Sequence, residues 1–279
     1  PLHHLPRFRN LVPPSWVNRV VKGEIPEDVD NKKVVVVHAH YRNREAYLSG
    51  HIPGAIDIDT LVLESPETWN RRSALELENG LLAHGITSDT TVVLYGKYMS
   101  PDNQDPFPGS AAGQIGAVRS AVIMMYAGVK DVRVINGGFQ AWKDGGFPVV
   151  TTDEKKVPAD DFGVGIPANP SIMVDLQEAK SILTSDNAEL VCVRSLPEYF
   201  GEVSGYNYID KAGRIPGAVF GNCGSDAYHM ENYRNIDLTV REFQEVTQIW
   251  NEAGITPDKK LAFYCGTGWR GSEAFSMPG

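Results

Sequence analysis

The chain has 279 residues, 26 Lys+Arg against 35 Asp+Glu, a formal charge of −9 and a pI near 5.3. That length is enough for two cores. The acidic balance excludes nucleic acid or an anionic membrane surface as the main partner, since either demands a net basic face. Three cysteines, Cys192, Cys223 and Cys265, are too few and odd in number for a disulfide framework. The longest apolar runs, Val34–Val37 and Ala121–Ala127, are core-length and far short of the ~20 residues of a membrane-crossing helix. The sequence opens at Pro1 without an initiator Met, so a processed periplasmic protein and a cytoplasmic one are both compatible with it.

In chain order, Pro1–Glu27 reads as a lead-in, with Ser15 as the N-cap of a helix over Trp16–Val21. Lys33–Val37 is a β-branched strand, followed by His51-Ile52-Pro53-Gly54-Ala55. Trp69–His84 has helical spacing and stops at Gly85, where a left-handed cap suits glycine. Then come a strand at Thr91–Tyr95, a Pro/Gly-rich insertion over Lys97–Gly116, a helix at Ala117–Ala127, a strand at Val132–Ile135 and a turn, Gly137–Trp142, into a last helix. Thr151–Asn169 is a linker rich in Pro, Gly and charge, before a helix from about Ser171 to Leu183. The second half repeats the pattern. A strand at Leu190–Val193 precedes Arg214-Ile215-Pro216-Gly217-Ala218, and a helix over Leu238–Ala253 ends at Gly254 before the strand Leu261–Tyr264.

Three matched blocks in one order imply a duplication, and strands alternating with helices imply parallel sheets flanked by helices. The expected organisation is an α/β protein: a lead-in over 1–28, a first domain over 29–150, a linker over 151–170 and a second domain over 171–279. The second half runs only fourteen residues past Cys265, whereas the first runs more than fifty past the corresponding Gly96. The second domain is therefore expected to be incomplete at its C-terminus, with an open, apolar sheet edge beside Leu261–Tyr264 and reduced stability.

Cys265 ends a buried-type strand and opens Cys265-Gly266-Thr267-Gly268-Trp269-Arg270 ahead of a helix. Ligands bind at the carboxyl ends of strands in open α/β sheets. Two glycines let successive N–H groups curl into an anion nest, which the helix N-terminus reinforces. A cysteine held there has a lowered pKa and the character of a thiolate nucleophile, and Arg270 adds a fixed positive charge for an anionic leaving group. A cysteine without such a setting is usually a buried structural residue, which is the reading for Cys192, inside a strand, and Cys223, in a loop. His38-Ala39-His40 lacks a third metal ligand, and His229 is isolated.

The HIPGA and RIPGA blocks, the glycine-terminated helices, the GGFQAW turn and the CGTGWR loop together resemble the rhodanese (sulfurtransferase) superfamily in tandem arrangement. The resemblance covers the chain from about Asn31 onward, and the lead-in further resembles bacterial multi-domain rhodaneses. It implies a catalytic second domain and a first domain that has lost its nucleophile, Gly96 standing where Cys265 stands. It implies that Cys265 takes the outer sulfur of thiosulfate as a persulfide and passes it to cyanide or another thiol, with no metal or organic cofactor. Gly266, Thr267, Gly268 and Trp269 would cradle the persulfide, Arg270 the sulfonate, and Arg194 would help bind substrate anions. Partners are then a small-molecule sulfur donor and a thiophilic acceptor, or a protein sulfur acceptor, with neither nucleic acid nor membrane. Two departures from the family pattern stand out: Cys192 replaces a usual Asp, and Glu198 lies near a position where mercaptopyruvate-using members carry a second arginine.

Three alternatives remain at this point: a 3-mercaptopyruvate sulfurtransferase, a persulfide carrier to protein partners, and a phosphatase or arsenate reductase built on a cysteine loop and arginine. The last normally has five residues between Cys and Arg. Here there are four, Gly266 to Trp269, a tighter cradle suited to one sulfur atom.

Overall fold

Seven residues, Val34–His40, alternate between two apolar faces and form β2 at the centre of the first sheet. The computed structural model describes residues 10–30, 33–98 and 112–277. Around β2 run β1 (Leu11–Val12), β3 (Ile56–Asp59), β4 (Thr91–Tyr95) and β5 (Asp131–Ile135), in the order β1-β5-β4-β2-β3. Every pairing in this sheet is parallel, with Val37 opposite both Leu94 and Ile56. One face packs on α3 (Ala74–Ala83) and α4 (Gly113–Ala127), the other on α1 (Pro14–Val21) and α5 (Gly138–Asp144). A four-residue helix, α2 (Glu45–Leu48), follows β2.

The second sheet contains β6 (Ala188–Cys192), β7 (Val219–Phe220) and β8 (Lys260–Tyr264), also parallel, in the order β7-β6-β8. That order matches β3-β2-β4, so the duplication read from sequence holds at the level of strand neighbours. In the first sheet β5 lies on the far side of β4. Among the described residues the corresponding side of β8 is an edge. The remaining helices are α6 (Leu176–Leu183), α7 (Leu196–Phe200), α8 (Phe243–Glu252) and α9 (Trp269–Ser276).

Several helix boundaries differ from expectation for local reasons. The helix expected from Trp69 starts only at Ala74, because Ser73 and Glu76 form a capping box and Trp69 itself sits at φ 57°. Its counterpart, expected from Leu238, starts at Phe243 behind a box formed by Glu242 and Glu245, and Leu238 sits at φ 69°. Helix α1 begins at Pro14, with Pro13 as its cap and no side-chain bond, so Ser15 is not the N-cap; proline's fixed φ suits the first turn. Asp175 caps α6, which leaves Pro170–Ile172 as a separate single turn. The insertion expected to run to Gly116 gives way to α4 at Gly113, and residues 99–111 of it lie outside the described residues. Gly85 and Gly254, at φ 69° and 79°, end their helices as expected.

Helix α4 ties the halves together. All its residues except Met125 are buried, because the first sheet lies on one side of it and α9 on another. Such a site selects a sequence that is apolar all round rather than amphipathic. One core cluster spans both halves and includes Tyr41 and Ile115 from the first and Val191, Tyr233, Trp250 and Trp269 from the second.

At the end of β4, the Gly96 N–H donates to Gln114 Oε1 at 2.8 Å and its carbonyl accepts from Phe139 N at 3.0 Å. A β-carbon on Gly96 would come within 2.2 Å of the Gly113 carbonyl oxygen. Gly96→Ala should therefore destabilise the protein by about 1–3 kcal/mol through forced backbone movement. Thermal melts should show a fall of several degrees, at about 2–4 °C per kcal/mol for a chain of this size class.

Candidate functional site

Strand β8 delivers Cys265 to the carboxyl edge of the second sheet, and α9 starts four residues later. The two glycines between are fixed by close approaches. A β-carbon on Gly266 would fall 2.3 Å from the Tyr206 ring, and one on Gly268, at φ 86°, would fall 2.7 Å from the Arg119 guanidinium. The Gly268 N–H donates to Cys265 Sγ at 3.1 Å, and the N–H groups of Arg270 and Gly271 also face the sulfur. The Gly266 N–H turns instead to Tyr206 Oη at 2.8 Å, and the Thr267 hydroxyl accepts from Trp269 N at 3.3 Å. Burial alone would push the Cys265 thiol up. The Arg270 charge and the three N–H groups outweigh it, so the thiol is held below its ordinary range. Among the three cysteines Cys265 is the half-buried one; Cys192 and Cys223 are fully buried.

Arg270 lies beneath the loop, 1% exposed. Its two terminal nitrogens meet Glu198 at 2.8 and 2.9 Å, and it also donates to the Asp226 carbonyl at 3.0 Å and to Tyr206 Oη. Glu198 is itself held by the Ser195 N–H and hydroxyl at 2.8 and 2.7 Å. Burial works against the Glu198 charge, but the bonds from Arg270 and Ser195 keep its carboxyl below the usual range. Burial raises the Tyr206 phenol, with the nearby Cys265 charge adding to the effect, so the phenol stays protonated.

Arg194 is placed differently from the rest of the predicted set. It donates to Cys192 Sγ at 3.3 Å and to the Gly213 carbonyl at 2.6 Å, and stands 5.7 Å from the Tyr264 ring centre. It thus closes the end of β6, one strand away from the Cys265 loop. Trp269 leaves the loop altogether and reaches the first domain, where its indole N–H donates to Glu64 Oε1 at 2.7 Å.

A cleft of 410 Å³ runs from Thr68 and Trp69 of the first domain past Cys265 and Thr267 to Phe275, alongside the free edge of β8. Near it, aromatic rings form a chain: Tyr206 to Tyr208 at 5.3 Å and Tyr208 to Trp69 at 5.6 Å. Tyr206 and Tyr208 went unnoticed in the sequence; their signal is an aromatic pair in the Gly-rich segment after α7. Glu64 and Arg119 carry no signal of their own. No group of three or more His, Cys, Asp or Glu side chains among the described residues could hold a metal.

With two such folds in one chain, the comparison that decides the family is direct: the rhodanese-like domain matches residues 22–145 and 175–277. The chain belongs to the rhodanese-like domain family. It is 42% identical over 275 residues to thiosulfate sulfurtransferase YnjE of Escherichia coli, covering 98% of this chain and 60% of that protein. It is 30% identical to the sulfur carrier protein TtuD of Thermus thermophilus, covering 95% of this chain and 85% of that one. Its fold matches the anaerobic ergothioneine biosynthesis enzyme from Chlorobium limicola, solved with its natural substrate trimethyl histidine, with a TM-score of 0.94 and 64% identity over 97% of this chain and 64% of that one. The rhodanese-like chain thus spans about three fifths of the length of the first and last of these proteins.

Structures of EanB, 63–64% identical, include complexes with hercynine and one in which ergothioneine is covalently linked with a cysteine persulfide. Variants of EanB alter a threonine two positions after the persulfide cysteine, a tyrosine fifty-nine before it, and cysteines forty-two and seventy-three before it. In this chain Thr267, Tyr206, Cys223 and Cys192 stand at those same intervals from Cys265.

Replacing Glu198 with Gln should cost about 3–5 kcal/mol, because Arg270 is left as an uncompensated buried charge. The Glu198 carboxyl is held below the ordinary glutamate range in the folded state, so its stabilisation is complete above that range and is lost as pH falls from it through the lower folded value. Denaturant titrations of wild type and Glu198→Gln should therefore differ fully at pH 7 and converge in acid.

Proposed function

We propose that this chain carries a persulfide sulfurtransferase site in its second domain, with Cys265 as the sulfur-bearing nucleophile. The observation that carries the reading is the Cys265 sulfur ringed by the N–H groups of Gly268, Arg270 and Gly271 above a buried arginine. The Cys265 thiolate attacks the outer sulfur of thiosulfate. Its S–S bond breaks, sulfite leaves with the electron pair, and Cys265 holds one additional sulfur. The first domain takes no part as nucleophile, since Gly96 stands in the cysteine's place without room for a β-carbon.

For the acceptor, the reading is the imidazole carbon between the two ring nitrogens of trimethyl histidine. The outer persulfide sulfur bonds to that carbon, the S–S bond breaks to return the Cys265 thiolate, and the carbon-bound hydrogen is replaced by a proton on ring nitrogen. Electrons balance without an external oxidant. Support comes from the 64% identity to an enzyme solved with that substrate, and from Tyr206, Thr267, Cys223 and Cys192 at the intervals altered in EanB. Tyr206 Oη already accepts from Gly266 and Arg270, so its own proton is used by neither bond. In the EanB variant with phenylalanine fifty-nine positions before the persulfide cysteine, ergothioneine is held in a tetrahedral intermediate state. This fits proton transfer by Tyr206 at the step that resolves such an intermediate. The rings of Trp69 and Tyr208 offer electron-rich faces to a trimethylammonium group.

The 42% identity to a thiosulfate sulfurtransferase favours a second reading, in which cyanide or a thiol takes the sulfur. Intact mass before and after thiosulfate, beside Cys265→Ser, tests the shared first step: wild type should gain one sulfur and the variant none. Trimethyl histidine added to the loaded protein should remove that sulfur and yield ergothioneine. In Tyr206→Phe, loading should persist while transfer slows about 10²-fold or more. Release of thiocyanate from cyanide with trimethyl histidine untouched would replace the first reading with the second.

A further inference from the structure

The first domain reaches into the Cys265 loop at two points. The Trp269 indole leaves the loop and enters a slot where Gly116 has no side chain to block it; a β-carbon there would lie 3.1 Å from the ring. Tyr41 meets the same indole edge-on at 5.7 Å. At the bottom of the slot Glu64, 0% exposed, accepts from Trp269 Nε1 at 2.7 Å and from Arg119 Nε at 3.1 Å. Arg119 in turn donates to the Trp69 carbonyl at 3.2 Å and lies over Gly268, whose N–H donates to the Cys265 sulfur. A carboxylate from the domain without the cysteine thus grips one residue of the loop, and the arginine paired with it covers another.

We propose that Glu64 is a positioning residue for the Cys265 loop, acting through the Trp269 indole and through Arg119, so that the first domain sets the reactivity of a thiol in the second. This deepens the sulfurtransferase reading but stands on geometry of its own. A buried indole N–H left without its acceptor bears its full desolvation penalty, which favours release of the first turn of α9. That turn holds the N–H groups of Arg270 and Gly271 that face the sulfur. The charged and titratable groups facing Cys265 come from several elements: Arg270 from α9, Glu198 behind it on α7, Tyr206 and Tyr208 from the loop after α7, Cys223, and Arg119 beyond Gly268. Moving the N–H groups shifts the thiol without removing any of these.

The test is the pH dependence of iodoacetamide alkylation at Cys265, read by peptide mass, which needs no sulfur donor or acceptor. In Glu64→Leu and Trp269→Phe the alkylation midpoint should rise by about one pH unit. The rate at neutral pH should fall about threefold, because a tenfold loss of thiolate is partly offset by the greater nucleophilicity of the more basic sulfur. Glu64→Gln keeps an acceptor for the indole and should bring the midpoint most of the way back to wild type, and Glu64→Leu with Trp269→Phe together should move the midpoint no further than Glu64→Leu alone. Trp269→Phe leaves the Glu64–Arg119 pair in place and decides the matter if Glu64→Leu does not fold. Wild-type midpoints in a folded Trp269→Phe protein would overturn the proposal. Shifted midpoints in a protein that never loads sulfur would uphold it while sinking the sulfurtransferase reading.

Discussion

Everything at the candidate site rests on the ion pair between Arg270 and Glu198, each 1% exposed, beneath the Cys265 loop. A guanidinium this deep is costly unless it is paired and hydrogen-bonded, and here the carboxylate, the Asp226 carbonyl and Tyr206 Oη serve that need together. The pairing has a chemical consequence. With its charge largely balanced by Glu198, Arg270 offers a weaker field to an incoming anion than a free arginine would. Stabilisation of the sulfur is then shared with the N–H groups of the loop, which are directional and short-ranged. Such a cradle suits a single sulfur atom that gains and loses charge in turn.

The same pair explains why Tyr206 belongs to the site. Its oxygen receives one bond from the loop, at Gly266, and one from the arginine below, so the phenol is fixed from two sides. Gly266 has to be glycine for the ring to come so close. The loop sequence, the aromatic residue sixty positions upstream in the chain's course and the ion pair are therefore one mechanical unit assembled from β8, α7, the segment after α7 and α9.

Much of the fold was legible because backbone requirements are local. The strands announce themselves as β-branched runs, Gly85 and Gly254 carry the left-handed geometry that ends a helix, the HIPGA block returns as RIPGA, and Gly96 and Cys265 each stand eleven residues after those glycines. Helix starts were misjudged where apolar spacing ran on past a cap, as at Trp69 and Leu238, whose positive φ values depend on tertiary surroundings. Cys265 was visible because the anion nest is encoded by adjacent residues. Tyr206, Glu198 as the partner of Arg270, and the grip of Glu64 on Trp269 were not, since each joins positions 64, 72 or 205 residues apart. Arg194 looked like an anion binder for its residue type alone; only the fold shows it engaged with Cys192 and Gly213.

Duplication gave the two halves the same strand order, yet they meet the end of their equivalent strands in opposite ways. After β4 the chain is sealed: Gly113 and Gln114 press on Gly96 so closely that not even a methyl group fits. After β8 the chain stays open around a sulfur. The helix that seals the first position, α4, continues from Gly113 into Gly116 and Arg119, and these are the residues that accept the Trp269 ring and cover Gly268. One helix buried on nearly every face therefore closes the vacant site and braces the occupied one. Because its side chains have no solvent-facing direction in which to relax, a displacement at either end must be passed on through packing to the other.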